Sequence, residues 1–112
     1  MKDILAKSLL KKIERLEAFE ERLSVRFENI SIKVDDDGWV YIFFELHTNK
    51  GTTIDNMINI ECTLYDVDGQ ILEVDSKLVL PERFYGFQVF KFSFQENGIA
   101  DKINKLRIYP KL

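Results

Sequence analysis

Histidine and cysteine, two of the side chains most used as bases, nucleophiles and metal ligands, occur once each in this chain, as His47 and Cys62. A Ser-His-Asp or Cys-His arrangement would have to use His47, which lies near the end of a predicted strand, a position typical of a rim residue. Cys62 shares its strand phase with three apolar residues, Ile58, Ile60 and Leu64, so we expect a small buried side chain and not a nucleophile. One Cys and one His do not make a zinc site within one chain. We therefore predict no catalytic residue and no enzymatic activity.

Two acidic turns, residues 35–38 (DDDG) and 66–69 (DVDG), carry carboxylates that could bind calcium. Neither is followed by a bidentate Glu at the offset that an EF-hand loop requires. Asp and Gly are also the residues that tight turns prefer. The glycines are isolated from one another, so the sequence contains no phosphate-binding loop. We interpret both segments as turns and expect neither calcium nor any other metal or cofactor.

Aromatic residues form the third group that could carry a function, by stacking on sugars, bases or a partner. The formal net charge of −3 provides no basic frame around them, so we do not expect nucleic acid to bind. The remaining interpretations are a surface covered by the N-terminal helix and a surface for a ligand or partner. An exposed patch of this size would be unusual on a monomer, which favours the first. The group comprises Trp39, Tyr41, Phe43, Tyr65, Tyr85 and Phe87.

The elements that position these residues are mostly strands. Apolar and polar residues alternate with a period of two from residue 25 onward, and a change of phase at Glu28-Asn29 indicates a bulge. Asp68-Gly69 predicts a tight hairpin turn, followed by a strand with one apolar face comprising Leu72, Val74, Leu78 and Leu80. With 46% hydrophobic and 31% charged residues the composition is that of a globular protein. We predict a mainly β fold, an antiparallel immunoglobulin-like β-sandwich over residues 25–109 with one N-terminal α-helix.

Residues 3–23 have apolar side chains at three- and four-residue steps, which predicts an amphipathic helix. We accordingly divide the chain into a helix over residues 1–23 and a sandwich domain over residues 24–112. The strand at 39–48 is apolar on both faces, so it needs a cover on its outer side. We expect Leu9, Ile13 and Leu16 to lie on the side of that strand that carries Trp39, Tyr41 and Phe43, with the helix coming from the same chain or from a second copy.

Residues 63–70 (TLYDVDGQ), followed by a strand, a proline and the Phe-rich strand 87–94, resemble the FxLYD-like domains. These are small immunoglobulin-like sandwiches of bacterial and archaeal proteins, often attached to membrane anchors or other modules. The resemblance covers residues 25–109. It implies a binding or structural role, because the family carries no catalytic residue.

The sequence thus favours a non-enzymatic interaction module that acts through protein–protein contacts or self-association, including a homodimer. The alternative is a small-ligand or carbohydrate binder that uses the aromatic sheet face. Charged residues interrupt the first twenty positions, so we expect no signal peptide and no membrane insertion. A single cysteine favours a reducing compartment, and we predict a cytoplasmic location.

Overall fold

The strands and helices of this protein were assigned from a computed structural model, which describes residues 2–112. The helices are α1 (Lys2–Leu10), α2 (Glu17–Arg22) and α3 (Ile99–Lys102), and a 3-10 turn covers Pro81–Arg83. The strands are β1 (Ile13–Arg15), β2 (Val25–Val34), β3 (Val40–Thr48), β4 (Ile58–Tyr65), β5 (Ile71–Val79), β6 (Phe87–Phe94) and β7 (Lys105–Lys111).

The strands form two sheets, with the orders β1-β7-β4-β5 and β2-β3-β6. All the pairs formed among β2 to β7 are antiparallel. The predicted fold is confirmed: the chain is mainly β, with two sheets and an N-terminal helix. One detail differs, because β1 pairs with β7 in parallel. This strand precedes residue 25, so the antiparallel prediction for residues 25–109 holds.

The core lies between the inner faces of the two sheets, and aromatic rings occupy its centre. Phe44 on β3 stacks against Phe90 and Phe92 on β6, each with ring centroids 5.5 Å apart. The Phe27 ring on β2 meets the Phe44 ring edge-on at 5.4 Å. Because alternate residues of a strand point to opposite faces, the burial of Phe44 sends its neighbours Phe43 and Glu45 to the outer side.

The predicted bulge in β2 is confirmed. The register between β2 and β3 shifts between Glu28 and Ser31, and Asn29 has a φ of +54°. Asn tolerates this left-handed conformation better than most residues. The bulge lets the apolar residues on both sides of it, such as Phe27 and Ile32, point into the core.

Val74 and Leu78 share a face of β5, as predicted, but this face points to solvent and not to the core. Val79 is fully buried, whereas Val74 and Leu78 are 51% and 49% exposed. The cause is a register shift between Leu64 and Tyr65 of β4, next to the hairpin turn. A shift of one residue exchanges the two faces of a strand, and the sequence of β5 alone does not reveal it.

The single helix predicted over residues 3–23 is not formed. Helix α1 ends at Leu10, and residues 13–15 instead pair with Leu106, Arg107 and Ile108 of β7. Pairing at an open sheet edge outweighs the helix propensity of this segment, although Glu14 and Arg15 are both good helix formers. The division of the chain at residue 23 is corrected accordingly, because β1 belongs to the sandwich; residue 1 lies outside the described residues.

Buried Glu20 joins this segment to the sandwich. It is 3% exposed, and Arg15 donates to its carboxylate from Nη2 at 2.6 Å and from Nε at 3.2 Å. The backbone N–H of Phe27 donates to the same carboxylate at 3.2 Å. Glu20 therefore connects α2 with both β1 and β2.

We predict that Glu20→Ala lowers the free energy of unfolding by about 1–3 kcal/mol, because the substitution leaves the buried Phe27 N–H without its acceptor and the partly exposed Arg15 without its partner. Urea unfolding followed by circular dichroism measures the change. Glu21→Ala is the matched control, since Glu21 is exposed in the same helix. Equal effects of the two substitutions would contradict the role given to Glu20.

Helix α1 packs on the core through Leu9, which is fully buried. We predict that Leu9→Ala lowers the free energy of unfolding by about 2–5 kcal/mol, through lost burial and the cavity left behind. Leu10→Ala, at a position 41% exposed, should cost less than about 0.5 kcal/mol. An unchanged stability of Leu9→Ala would mean that α1 is not part of the cooperative unit.

Candidate interaction face

The outer side of the β2-β3-β6 sheet, here called the outer face, carries the predicted site residues of β3. The residues that β6 contributes opposite them follow from the pairing of the two strands. Directly paired residues of an antiparallel sheet share a face. The pairs of the outer face are Tyr41 with Ser93, Phe43 with Lys91, Glu45 with Val89, and His47 with Phe87.

The N-terminal helix of the same chain does not cover the outer face, so this version of the prediction is wrong; the version with a helix from a second copy stays a prediction. Helix α1 lies beside the edge strand β2, where Ala6 and Leu10 line a shallow cavity together with Ser31 and Ile32. Leu9 enters the core from this edge. Of the other residues expected on the outer face, Ile13 is in β1 and Leu16 directly precedes α2.

Lysine side chains cover the aromatic rings of β3 instead. The Lys33 ammonium lies 5.4 Å from the centre of the Phe43 ring, and the Lys91 ammonium lies 5.9 Å from the centre of the Tyr41 ring. The methylene stems of lysine cover apolar surface while the charge stays in water. Tyr41 and Phe43 are half-buried in this way, and Trp39 is half-buried with its Nε1 donating to Oδ1 of Asn97 at 2.7 Å. We expected a helix to cover these rings because lysine side chains were not considered as a possible cover.

An apolar cluster beside these rings is open to solvent. Tyr85, Phe87 and Val89 are 81%, 53% and 59% exposed. Val89 was missed in the sequence, although it alternates with the buried Phe90 and Phe92 and so has the phase of Phe87. We call Tyr85, Phe87 and Val89 the β6 cluster.

Tyr65, which the sequence grouped with these aromatic residues, lies on the other sheet. It belongs to β4, and its ring is approached by the Lys105 ammonium at 4.7 Å and by the Arg107 guanidinium at 5.3 Å. The alternation in the sequence predicted an outer face for β3 and for β4. It did not show that the two strands belong to different sheets. The aromatic group is therefore divided.

His47 borders the β6 cluster and takes part in a carboxylate network. Its ring stacks on the Phe87 ring with centroids 5.2 Å apart, and its Nε2 lies 2.7 Å from Oε1 of Glu45. Asn29 donates a second hydrogen bond to the same oxygen, at 3.1 Å. The hydrogen bond with His47, together with that from Asn29, lowers the pKa of the Glu45 carboxyl. His47 thus forms part of a polar rim around apolar side chains.

The acidic turns organise the backbone through their first aspartates. Desolvation raises the pKa of Asp35, but hydrogen bonds from the Trp39 N–H and the Tyr41 hydroxyl outweigh it, so that the pKa is lowered overall. Asp66 likewise accepts hydrogen bonds from the N–H groups of Asp68 and Gln70, both at 2.9 Å. Among residues 2–112 no group of three His, Cys, Asp or Glu side chains is placed to hold a metal ion.

Comparisons with known proteins find matches to this chain among solved structures. No family model matches it, and no match is found among curated proteins. Among solved structures, a DUF1425 family member from Shewanella sp. pv-4 has a TM-score of 0.49 at 14% identity, over 79% of this chain and 77% of the other. Campylobacter jejuni cj0090 has a TM-score of 0.48 at 10% identity, over 89% and 96%. The uncharacterized lipoprotein yajI from Escherichia coli has a TM-score of 0.39 at 17% identity, over 78% and 54%.

None of the helices formed by residues 2–112 has both the length and the apolar character needed to span a bilayer.

Cys62 is fully buried on β4, as predicted, and burial raises the pKa of its thiol to about 12. We predict that a disulfide reagent at pH 8 labels it at least about 1,000-fold more slowly in the native protein than in denaturant, because little thiolate is present and access is blocked. The control is Ser31→Cys in a Cys62→Ala background, since Ser31 is exposed. Similar native labelling rates at positions 62 and 31 would show that Cys62 is accessible.

Proposed function

We propose that this protein is a non-enzymatic β-sandwich interaction module, and that its outer face binds a protein partner through the β6 cluster. The resemblance of residues 63–70 to FxLYD-like domains supports this proposal, because a family without a catalytic residue implies a binding or structural role. The sequence-based prediction of self-association also used the outer face, with a helix from a second copy lying on it, and it stays a prediction. The cytoplasmic location stays a prediction.

The exposure of the β6 cluster is the observation that carries the proposal. Phe87 and Val89 are more than half exposed and lie two residues apart on one strand face, and the exposed Tyr85 lies two residues before Phe87. Exposed apolar clusters with a polar rim are typical of protein contact sites. Aromatic side chains are also the commonest energetic anchors of such sites.

The polar groups around the cluster suit a protein interface. Glu45 and His47 lie on one side of it, and Lys91 follows it along β6. Both signs of charge are thus present, and an interface of this composition selects its partner by complementary charges at the rim. This favours a partner surface with an apolar centre and a mixed rim.

A small ligand or carbohydrate is the second candidate for the same face. Stacking of a sugar needs a free ring face, but Lys33 and Lys91 lie over the rings of Phe43 and Tyr41. Surface cavities at Ile54, at Asp36 and at Ala6 are lined by other residues. These two observations favour the protein partner.

The proposal is non-enzymatic because the two residues best suited to covalent chemistry lie apart. His47 is on the outer face of one sheet, and Cys62 is buried on β4 of the other. The His47 ring is engaged by carboxylates and by the Phe87 ring. These contacts support a structural role for His47 at the rim.

We predict that a photo-crosslinking amino acid at position 87 yields a discrete covalent product with another protein in cells of the source organism. Adding Val89→Lys should reduce that product by about tenfold or more, since loss of an interface anchor costs about 2 kcal/mol. The matched control carries the crosslinker at position 67, where Val67 is 78% exposed on a turn of the other sheet. Mass spectrometry of the product identifies the partner.

The same product at positions 87 and 67, or none at position 87, would overturn the proposal. Binding to a glycan array that is lost in Phe87→Ala would support the carbohydrate alternative instead.

A further inference from the structure

Strand β5 ends its sheet with an edge to which no other strand of residues 2–112 pairs. It is nine residues long, whereas β1 at the opposite edge has only three. Edge strands present free N–H and C=O groups and can pair with another chain. On the outer side of β5, Val74 and Leu78 are 51% and 49% exposed. This edge therefore offers both backbone groups and apolar side chains.

The sequence of β5 around Ser76 complements itself when reversed. Residues 74–78 read Val-Asp-Ser-Lys-Leu. If two copies run antiparallel with Ser76 opposite Ser76, each Val74 faces a Leu78 and each Asp75 faces a Lys77. Apolar side chains then meet on one face of the sheet and opposite charges meet on the other.

We propose that two copies of this chain pair along β5 in this register, with Ser76 on the two-fold axis. The two four-stranded sheets would join into one continuous sheet across the dimer. Two-fold symmetry makes each contact occur twice, which is the usual arrangement of homodimers. The proposal uses a different surface from the β6 cluster and does not rest on the function proposed above.

The charges of Asp75 and Lys77 argue for a second copy as the occupant. They pair with Cys62 and Ile60 of β4, so they lie on the inner side of the sheet, where both are half-buried. Neither forms an ion pair with any part of the chain that the structure describes. Inward charges on an edge strand oppose pairing with an unrelated apolar strand, because the charge would be buried alone. A second copy supplies the opposite charge at each position.

The same charges select one register. The strand faces match only when the pairing moves by two residues at a time, so that each residue stays opposite one of the same face. A shift of two residues in one direction places Asp75 opposite Asp75. A shift of two residues in the other direction places Lys77 opposite Lys77. Like charges directly opposite each other are destabilising. Only the register centred on Ser76 pairs both charges favourably.

The backbone at Ser76 is available for this pairing. Its N–H donates to Oδ1 of the adjacent Asp75 at 2.8 Å, as expected for an edge group that is not bonded to β4. On pairing, the Asp75 carboxylate would turn to Lys77 of the other copy. The N–H would then be free to bond across the axis.

The first test is sedimentation velocity over a range of concentrations. A mass rising from 13.2 kDa to twice that value is expected, with a dissociation constant of about 1–100 μM, since pairing of one strand edge buries less than a standard interface. Lys77→Asp and Asp75→Lys should each weaken the dimer at least about tenfold. An equimolar mixture of these two variants should dimerise again, because it restores both opposite-charge pairs. Lys50→Asp, an exposed loop substitution, is the charge control, and circular dichroism checks folding.

The second test is Ser76→Cys in a Cys62→Ala background. Directly opposed residues of an antiparallel pair lie about 4.5–5.5 Å apart between Cα atoms, which is within the range for a disulfide. Mild oxidation should give a covalent dimer, and Ser31→Cys in the same background should not. A chain that stays at 13.2 kDa at all concentrations would overturn the proposal. So would a dimer that withstands both charge substitutions and does not crosslink through position 76.

The two proposals can fail separately. Val89→Lys leaves β5 unchanged and should keep the dimer, whereas the charge variants of β5 should keep the crosslink from position 87. A dimer lost on Val89→Lys and kept in Lys77→Asp would place self-association on the outer face and overturn the β5 interface.

Discussion

The burial of Phe44 between the two sheets is the constraint on which the rest of the structure depends. Its ring contacts aromatic rings of both neighbouring strands, Phe27 on β2 and Phe90 and Phe92 on β6. Deletion of such a ring from a core typically costs about 3–5 kcal/mol, a large part of the stability of a small domain. Because strands alternate, fixing this residue inward also fixes Phe43, Glu45 and His47 outward. The outer face is thus a consequence of the core.

The N-terminal segment protects the open side of this core with three short elements. Leu9 of α1 fills the side next to β2, and β1 extends the other sheet beside β7. Glu20 then holds α2 against both, through Arg15 and the Phe27 N–H. A continuous helix would bury an apolar stripe but would leave the edge of β7 unpaired. The observed arrangement satisfies backbone hydrogen bonds as well as apolar burial.

Two surfaces remain open, and they differ in chemistry. The outer face combines lysine-covered rings with the exposed β6 cluster, so its apolar area is concentrated at one end. The β5 edge combines exposed apolar side chains with inward charges of both signs. The first has the features of a contact with a different protein, and the second has the features of a contact with an identical strand. A dimer formed through the two β5 edges would leave the outer face of each copy available, so it would have two outer faces.

The sequence by itself determined the features that depend on neighbouring residues in the chain. The period of two placed Cys62 with Ile58 and Ile60, and all three are buried. The phase change at Glu28-Asn29 located the bulge of β2. The preference of Asp and Gly for turns located the hairpin between β4 and β5. Each of these follows from backbone sterics and from local alternation, which a strand carries wherever it packs.

Only the tertiary structure decided the features that depend on residues distant in the chain. Residues 13–15 read as helix and became a strand because β7, some ninety residues later, offers a free edge. The face of β5 that is buried depended on its register with β4. Lys33 and Lys91 cover the rings of Phe43 and Tyr41 only because three strands come together in one sheet. In each case the energy of a non-local contact exceeds the preference of the local sequence, and that contact cannot be read from the segment alone.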